Sequence, residues 1–300
     1  MRDKLKELIE KTIIYQYSLP CKEHGIERVC FSTQNDDCYN CINTDDLVKI
    51  IYNSIIEYSY ETFPKNDYNK LQNMHSAALS NKIKYIKDEI DNDANAQAGF
   101  FGEVLLCTIL KALYGKDSFI SRGRFFDPLE NSETKGYDSY HIFNNGGQIE
   151  LWFGEVKFHE SHNSAIKSVM ENIDKALSVE YLEQTFYSID NKIEAAKPNA
   201  ESVKQILENW KYNGINLIEQ IKKYNLKLVY PILLVYGANT LTYESNITKV
   251  VNYIKSNYSN YKCGLDIPYS IFFILLPVHE VKEIKKEVLK WIEEKKQVLL

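Results

Sequence analysis

One stretch near the middle of the chain, Ile149-Glu150-Leu151-Trp152-Phe153-Gly154-Glu155-Val156-Lys157-Phe158, constrains the fold more than any other. Side chains of a strand alternate between two faces, and here both faces are apolar. Ile149, Leu151 and Phe153 lie on one, and Trp152, Val156 and Phe158 on the other. A strand apolar on both sides must be covered on both, as inner strands of α/β sheets are. The first face then ends in Glu155 and Lys157. Two charges directed into a covered face are expensive unless something pairs or uses them.

The flanking sequence supports an α/β reading. Asn144-Asn145-Gly146-Gly147, with Asn-Gly at its centre, is a hairpin signal that joins this strand to an extended segment at 137–143. A further extended piece is predicted at 118–122. Ala98 to Tyr114 has strong helical patterning and stops at Gly115, suited to the left-handed position after a helix. Downstream, the pattern predicts a helix from Asn163 or Ser164 to about Ser178 and mostly helical sequence over 180–224. Strand 227–236, helix 246–257, strand 269–277 and helix 279–296 follow.

Upstream, residues 3–16 carry a helical stripe of Leu5, Leu8, Ile9, Thr12 and Ile13, ended by Pro20. Residues 20–44 read as irregular and hold four of the six cysteines. A second helix is predicted from a Thr44-Asp45-Asp46 cap towards Tyr60, and helical tendency continues to about Ala94. The expected organisation is a mostly helical N-terminal region over 1–94, with a Cys-rich loop at 20–44, followed by an α/β domain with a mixed sheet over 95–300.

Composition narrows the class. Hydrophobic residues make up 44% and charged residues 26%, an ordinary globular profile. The longest apolar runs, Leu228 to Ala238 and Ile271 to Val278, are too short to cross a bilayer. The opening Met-Arg-Asp-Lys-Leu-Lys-Glu lacks the apolar stretch of a secretory signal. A cytoplasmic protein with no membrane association and reduced cysteines is expected. The net charge of −5 argues mildly against a chain that grips DNA unaided, because phosphate contacts supply most non-specific affinity.

The hairpin brings a third charged group to the strand. With Asn145-Gly146 as a two-residue turn, Asn144 falls opposite Gly147 and Asp138 opposite Phe153. Directly opposed residues share a face, so Asp138 joins Glu155 and Lys157, diagonal to Glu155. On the preceding helix Gly99, Glu103, Leu106, Leu110 and Leu113 form one stripe, which puts Glu103 on the apolar side. Alone, a Glu-x-Lys on a strand is ordinarily a solvated ion pair, and Glu103 an amphipathic-edge residue. Together the four make a device for phosphoryl chemistry. Carboxylates hold Mg²⁺ or Mn²⁺ with waters and a substrate phosphate; the metal polarises the phosphoryl group and acidifies a bound water. Asp138 and Glu155 are therefore assigned as metal ligands, Glu103 as an auxiliary ligand, and Lys157 as the residue positioning the nucleophilic water. Tyr137, Tyr140 and Trp152 are assigned to the core.

At these residues the chain resembles the PD-(D/E)XK nuclease superfamily, with Tyr137-Asp138 where that motif has Pro-Asp. More narrowly, Gly99-Phe100-Phe101-Gly102-Glu103, Lys135-Gly136-Tyr137-Asp138-Ser139-Tyr140-His141 and Leu151 to Phe158 resemble HamA, the nuclease-subunit family of Hachiman anti-phage defence systems. The resemblance covers about residues 45–300. It implies a restriction-endonuclease-like sheet and an Mg-dependent deoxyribonuclease that hydrolyses DNA phosphodiester bonds. It also implies a HamB-like superfamily 2 helicase as partner, which restrains the nuclease until phage-associated DNA damage or processing is sensed. The rival readings are a self-sufficient restriction-type endonuclease and a catalytically silent nuclease-fold adaptor. A neighbouring helicase gene favours the first reading and a methyltransferase gene the second; intact Asp138, Glu155 and Lys157 argue against the third.

Before residue 45 the resemblance gives out. Cys21-x-x-His24 and Cys38-x-x-Cys41 have zinc-knuckle-like spacing, with Cys30 competing as a ligand. The alternative is reduced thiols in a loop. Cys107 and Cys263 read as structural. His159 and His162 read as solvated residues at a helix start, within reach of a phosphate.

Overall fold

The computed structural model describes residues 1–86, 93–127, 132–133, 135–190, 200–210, 216–238 and 241–299. The first segment gives α1 (Asp3–Thr12), β1 (Ile13–Ser18), β2 (Asp37–Cys41), α2 (Thr44–Ser59) and α3 (Tyr68–Asn81). Then come α4 (Asp93–Ala96), α5 (Phe100–Ala112), two two-residue strands β3 (Phe126–Asp127) and β4 (Ser132–Glu133), and the hairpin β5 (Ser139–Asn145) and β6 (Gln148–His159). The chain continues through α6 (His162–Ala176), α7 (Val179–Asp190), α8 (Glu201–Trp210), α9 (Leu217–Lys223), β7 (Lys227–Gly237), α10 (Tyr243–Tyr258), β8 (Tyr269–Val278) and α11 (Val281–Glu293).

Six strands form one mixed sheet in the order β1-β2-β8-β7-β6-β5. β2, β8, β7 and β6 run parallel, while the outer strands β1 and β5 are antiparallel to their neighbours. One face packs on α6 to α10 and the other on α1, α2, α5 and α11. The two apolar faces of β6 feed these separate cores, Leu151 and Phe153 entering the first and Trp152, Val156 and Phe158 the second. The strand apolar on both sides is an inner strand, covered on both.

The N-terminal region differs from the sequence reading. The helix stops at Thr12, and Ile13-Ile14-Tyr15, β-branched and aromatic, continue as β1. The segment expected to be irregular contains β2, which pairs with β1 on one side and β8 on the other. Residues before 95 thus complete the same sheet. Asn43, rather than Thr44, caps α2, its side chain accepting from the amides of Asp45 and Asp46. The piece expected to be extended at 118–122 leads into a 3₁₀ turn at Arg122–Phe125. Within the predicted helical stretches, residues 87–92, 191–199 and 211–215 lie outside the described residues.

Two features seat the elements that carry the site. Arg2 clasps Glu57 of α2 through a pair of hydrogen bonds at 3.0 and 3.1 Å, with both side chains 2% exposed. That buried bidentate pair fixes α2 against the chain's start. Gly102 lets α5 approach β6: a Cβ there would stand 3.0 Å from Val156 Cγ2.

Candidate active site

The hairpin sets the site's register. Asn145 pairs with Gln148 and Ser139 with Gly154, so the two-residue turn is Gly146-Gly147 and not Asn145-Gly146. Both glycines have positive φ, 60° and 98°, as the tight hairpin turn requires at both centres. Asn144 Oδ1 closes the turn by accepting from the Gly147 amide at 2.7 Å. The register therefore moves by two residues, which preserves the face and changes the neighbour. Continued one step past Ser139, that register puts Asp138 across from Glu155 and not diagonal to it; its amide donates to the Gly154 carbonyl at 2.9 Å.

Because β5 begins only at Ser139, no described strand pairs with the outer edge of β6 from Glu155 onward, and that edge is bare of strands. Asp138 occupies the opening, where its Oδ2 accepts from the Val156 amide at 2.8 Å. On one side of the sheet, Lys157 Nζ donates to Glu155 Oε1 at 2.5 Å. Both are partly exposed, at 19% and 17%. On the other side stands Glu103 of α5, 7% exposed. Its Oε2 accepts from the Tyr58 hydroxyl at 2.7 Å and lies 3.5 Å from Arg122 Nε. A bare edge lets carboxylates from opposite faces of one sheet meet around Asp138.

The electrostatics record that meeting. Burial, then the charges of Glu155 and Glu103, push Asp138 well above the usual carboxylate range, against the opposing pull of Lys157 and Arg122. Burial alone would lower the Lys157 ammonium; Glu155, Asp138 and Glu103 together outweigh it and raise the pKa. The four residues singled out in the sequence thus feel one another's charge.

Arg122 and Tyr58 had no sequence signal. A lone Arg and a Tyr on an apolar helix carry no spacing that marks them. Their places follow from tertiary contacts. Glu61, just after α2, accepts from the Ser121 amide at 3.1 Å and holds Arg124 at 2.5 and 2.8 Å, pinning the 3₁₀ turn that carries Arg122.

Among the described residues, no three His, Cys, Asp or Glu side chains are gathered closely enough to hold a metal by themselves. Each carboxylate of the cluster is engaged by a protein donor instead. The donor set still suits a hard cation. Mg²⁺ is held through one or two carboxylates, with waters and substrate phosphate completing its shell. Burial first, and the charges of Glu155 and Glu103 after it, raise the Asp138 pKa; a divalent cation would relieve the like-charge part.

The other candidates fall elsewhere. Tyr137, Tyr140 and Trp152 are core, at 1%, 0% and 5% exposure. Cys38 and Cys41 sit three apart on β2, and their side chains enter opposite cores. Cys21 packs on the same side as Cys38, while His24 is paired with Glu244 at 3.8 Å. The zinc knuckle expected from Cys21, His24, Cys38 and Cys41 is therefore not assembled, because a strand directs residues i and i+3 to opposite faces. Cys30 is exposed and donates to the Tyr258 carbonyl, and Cys107 is buried beside Ser118. Cys263 is only partly buried. His159 and His162 are half-buried, and burial lowers both imidazoles. No described helix is long and apolar enough to cross a membrane.

Comparison with known proteins gives one family. The family model HamA matches residues 6–292. Searches of curated proteins and of solved structures return no match. The chain belongs to the HamA family, which implies a protein of Hachiman anti-phage defence.

Proposed function

We propose that this HamA-family chain is a metal-dependent deoxyribonuclease, the effector of its defence system, delivered to DNA by a helicase partner. The observation that carries the reading is the meeting of Asp138, Glu155, Lys157 and Glu103 at the bare edge of β6. Asp138 and Glu155 would hold Mg²⁺ or Mn²⁺, with Glu103 as auxiliary; the bound ion supplies Lewis-acid polarisation of the scissile phosphoryl group and an acidified water. Lys157, already held by Glu155, is placed to orient the attacking water and offset the charge that develops on the phosphate. Arg122 and Tyr58 hold Glu103 in place.

The net charge of −5 supports the helicase part of the proposal. A chain without a basic excess displaces few counterions, so its DNA affinity alone should be weak and only shallowly salt-dependent. A tethered helicase raises the local DNA concentration at the site without altering its chemistry. The test is plasmid degradation with Mg²⁺ or Mn²⁺, by the chain alone and with the helicase encoded beside it. Metal-dependent degradation that needs the helicase is the expected result. Full-rate cleavage by the chain alone, with tight and steeply salt-dependent binding, moves it to the self-sufficient endonucleases. No cleavage in either arm leaves the silent adaptor.

A further inference from the structure

Beside the carboxylates, at the carboxyl end of β6, a cleft of about 850 Å³ opens from Lys157. Three helix starts surround it: Gly99 at the head of α5, Ser161 at the head of α6, and Lys282 and Lys285 on the first turns of α11. His159 and Lys157 supply the wall from β6. One carboxylate, Glu160, also lines the cleft and stands 3.5 Å from Lys282 Nζ. Lys157 is paired with Glu155 and Lys282 with Glu160, which leaves Lys285 as the cleft's net positive charge on a chain that is acidic overall.

The two lysines of α11 are held differently. Lys282 is 66% exposed, and its ammonium sits on the flexible four-carbon stem common to lysines. Lys285 is 8% exposed, its Nζ donates to the Phe158 carbonyl at 3.0 Å, and it lies over the rings of Phe101 and Phe158. Burial lowers its pKa to about 8, so most of its charge is kept at neutral pH in a poorly hydrated setting. Neither Gly99 nor Ser161 caps its helix with a side chain. The positive ends of both helix dipoles add to the lysines' field.

We infer that this cleft seats backbone phosphates of the nucleic-acid strand next to the bond that is cut, with Lys282 and Lys285 as the phosphate-binding residues. The inference rests on the nuclease reading of Asp138, Glu155 and Lys157. Its size favours a strand over a free anion, because a cleft of about 850 Å³ exceeds what one phosphate fills. Two phosphate contacts also agree with the low affinity and shallow salt dependence expected of the chain alone, because each cation that leaves the strand adds roughly one unit to the slope.

The test is fluorescence anisotropy of a short labelled single-stranded DNA on the full-length chain, carried through a salt series. Lys282→Ala and Lys285→Met should each weaken binding several-fold, and the double variant about tenfold. The slope of log affinity against log salt should fall by about one for each lysine removed. Lys285→Met keeps the stem's packing; should it still fail to fold, the exposed Lys282→Ala carries the test. Unlabelled oligonucleotide should compete, and inorganic phosphate at the same phosphate concentration should not. Unchanged affinity and slope in both variants overturn the inference, as does equal competition by inorganic phosphate. Cleavage of DNA by the wild-type chain together with its helicase, in Mg²⁺, is followed in parallel. Cleavage with unaltered binding in the variants sinks the cleft alone, while altered binding without cleavage sinks the nuclease reading and leaves the cleft standing.

Discussion

Asp36 and Asp138 are both aspartates drawn out of water, and in both burial raises the pKa. What surrounds them differs. Asp36, 0% exposed, accepts from Val29 N at 2.9 Å, Ser32 Oγ at 2.6 Å and Phe273 N at 2.8 Å. Those donors tie the Cys-rich segment to β8, and Arg28 is the charged neighbour that favours ionisation. Asp138 accepts from the Val156 amide and is crowded by two further carboxylates. Burial alone therefore does not mark a functional acid. A buried acid surrounded by donors is a structural clasp; one surrounded by like charge is held for something the protein itself does not supply.

The largest expected effect tests the Asp138 half of this contrast. Glu155→Gln or Asp138→Asn should reduce DNA cleavage by roughly 10²–10³-fold, the loss typical when one group that supports transition-state charge stabilisation is removed. Because Asp138→Asn also removes crowded charge, it should leave the fold intact and raise stability by about 1 kcal/mol, as relief of active-site strain commonly does. A melt followed by circular dichroism beside a plasmid assay reads both. Retained cleavage in both variants, or a loss of stability with Asp138→Asn, would break the contrast.

Arg122 sharpens it. If Arg122 acts by positioning Glu103, then Arg122→Ala should cost roughly 10–100-fold in rate, as loss of outer-shell partners does. Arg122→Lys should restore part of that rate, since it keeps the charge 3.5 Å from Glu103 while losing the planar fork. Equal loss in both variants, with a fallen melting temperature, would reduce Arg122 to a packing residue.

Asp36 should behave in the opposite way. Asp36→Ala leaves three buried donors without an acceptor and should cost about 3 kcal/mol of stability, with cleavage unchanged at temperatures where the chain stays folded. Its pH dependence has a definite sign. The folded-state pKa is pushed up to about 7 from an ordinary 3.8. The folded chain therefore holds a proton that the unfolded chain has lost, and stability from this group declines as pH rises between those values. It is complete below the lower one and gone above the upper. Asp36→Asn, which mimics the protonated acid, should flatten that decline in denaturant melts taken across the window. A decline of equal slope in Asp36→Asn would assign it to other groups.

How much of this was legible in the chain depends on whether the signal was local. Period two in Ile149 to Phe158 and the hairpin at Asn144 to Gly147 placed Asp138, Glu155 and Lys157 on one face even though the turn itself was misplaced. A register error of two residues returns every side chain to the same face. Glu103 was legible through helical spacing, although it approaches from the other side of the sheet. Strands β1 and β2 were hidden because each is short and β2 is held by β8, more than two hundred residues away. Propensity cannot express such a pairing. Arg122 and Lys285 were invisible for a related reason: their surroundings are assembled from α2, α5 and α11, and no spacing within one segment encodes that.

The smallest expected effect lies in the cysteines beside Asp36. Zinc takes thiolates, so a ligand cysteine must give up its proton. Burial pushes Cys41 up to about 11 and Cys38 higher still, and β2 sends the two into different cores. A strand would have to rotate one residue out of the sheet to bring both onto one ion. Purified protein prepared without chelator should then hold far less than one zinc per chain by elemental analysis. Zinc chelation and Cys41→Ser should each leave the melting temperature within about 1 °C, the shift that roughly half a kcal/mol produces in a chain of this size. Stoichiometric zinc, lost together with stability when either Cys41 or His24 is replaced, would mean that β2 is remade around a metal. The clasp at Asp36 would then be one part of a metal site, and its contrast with Asp138 would disappear.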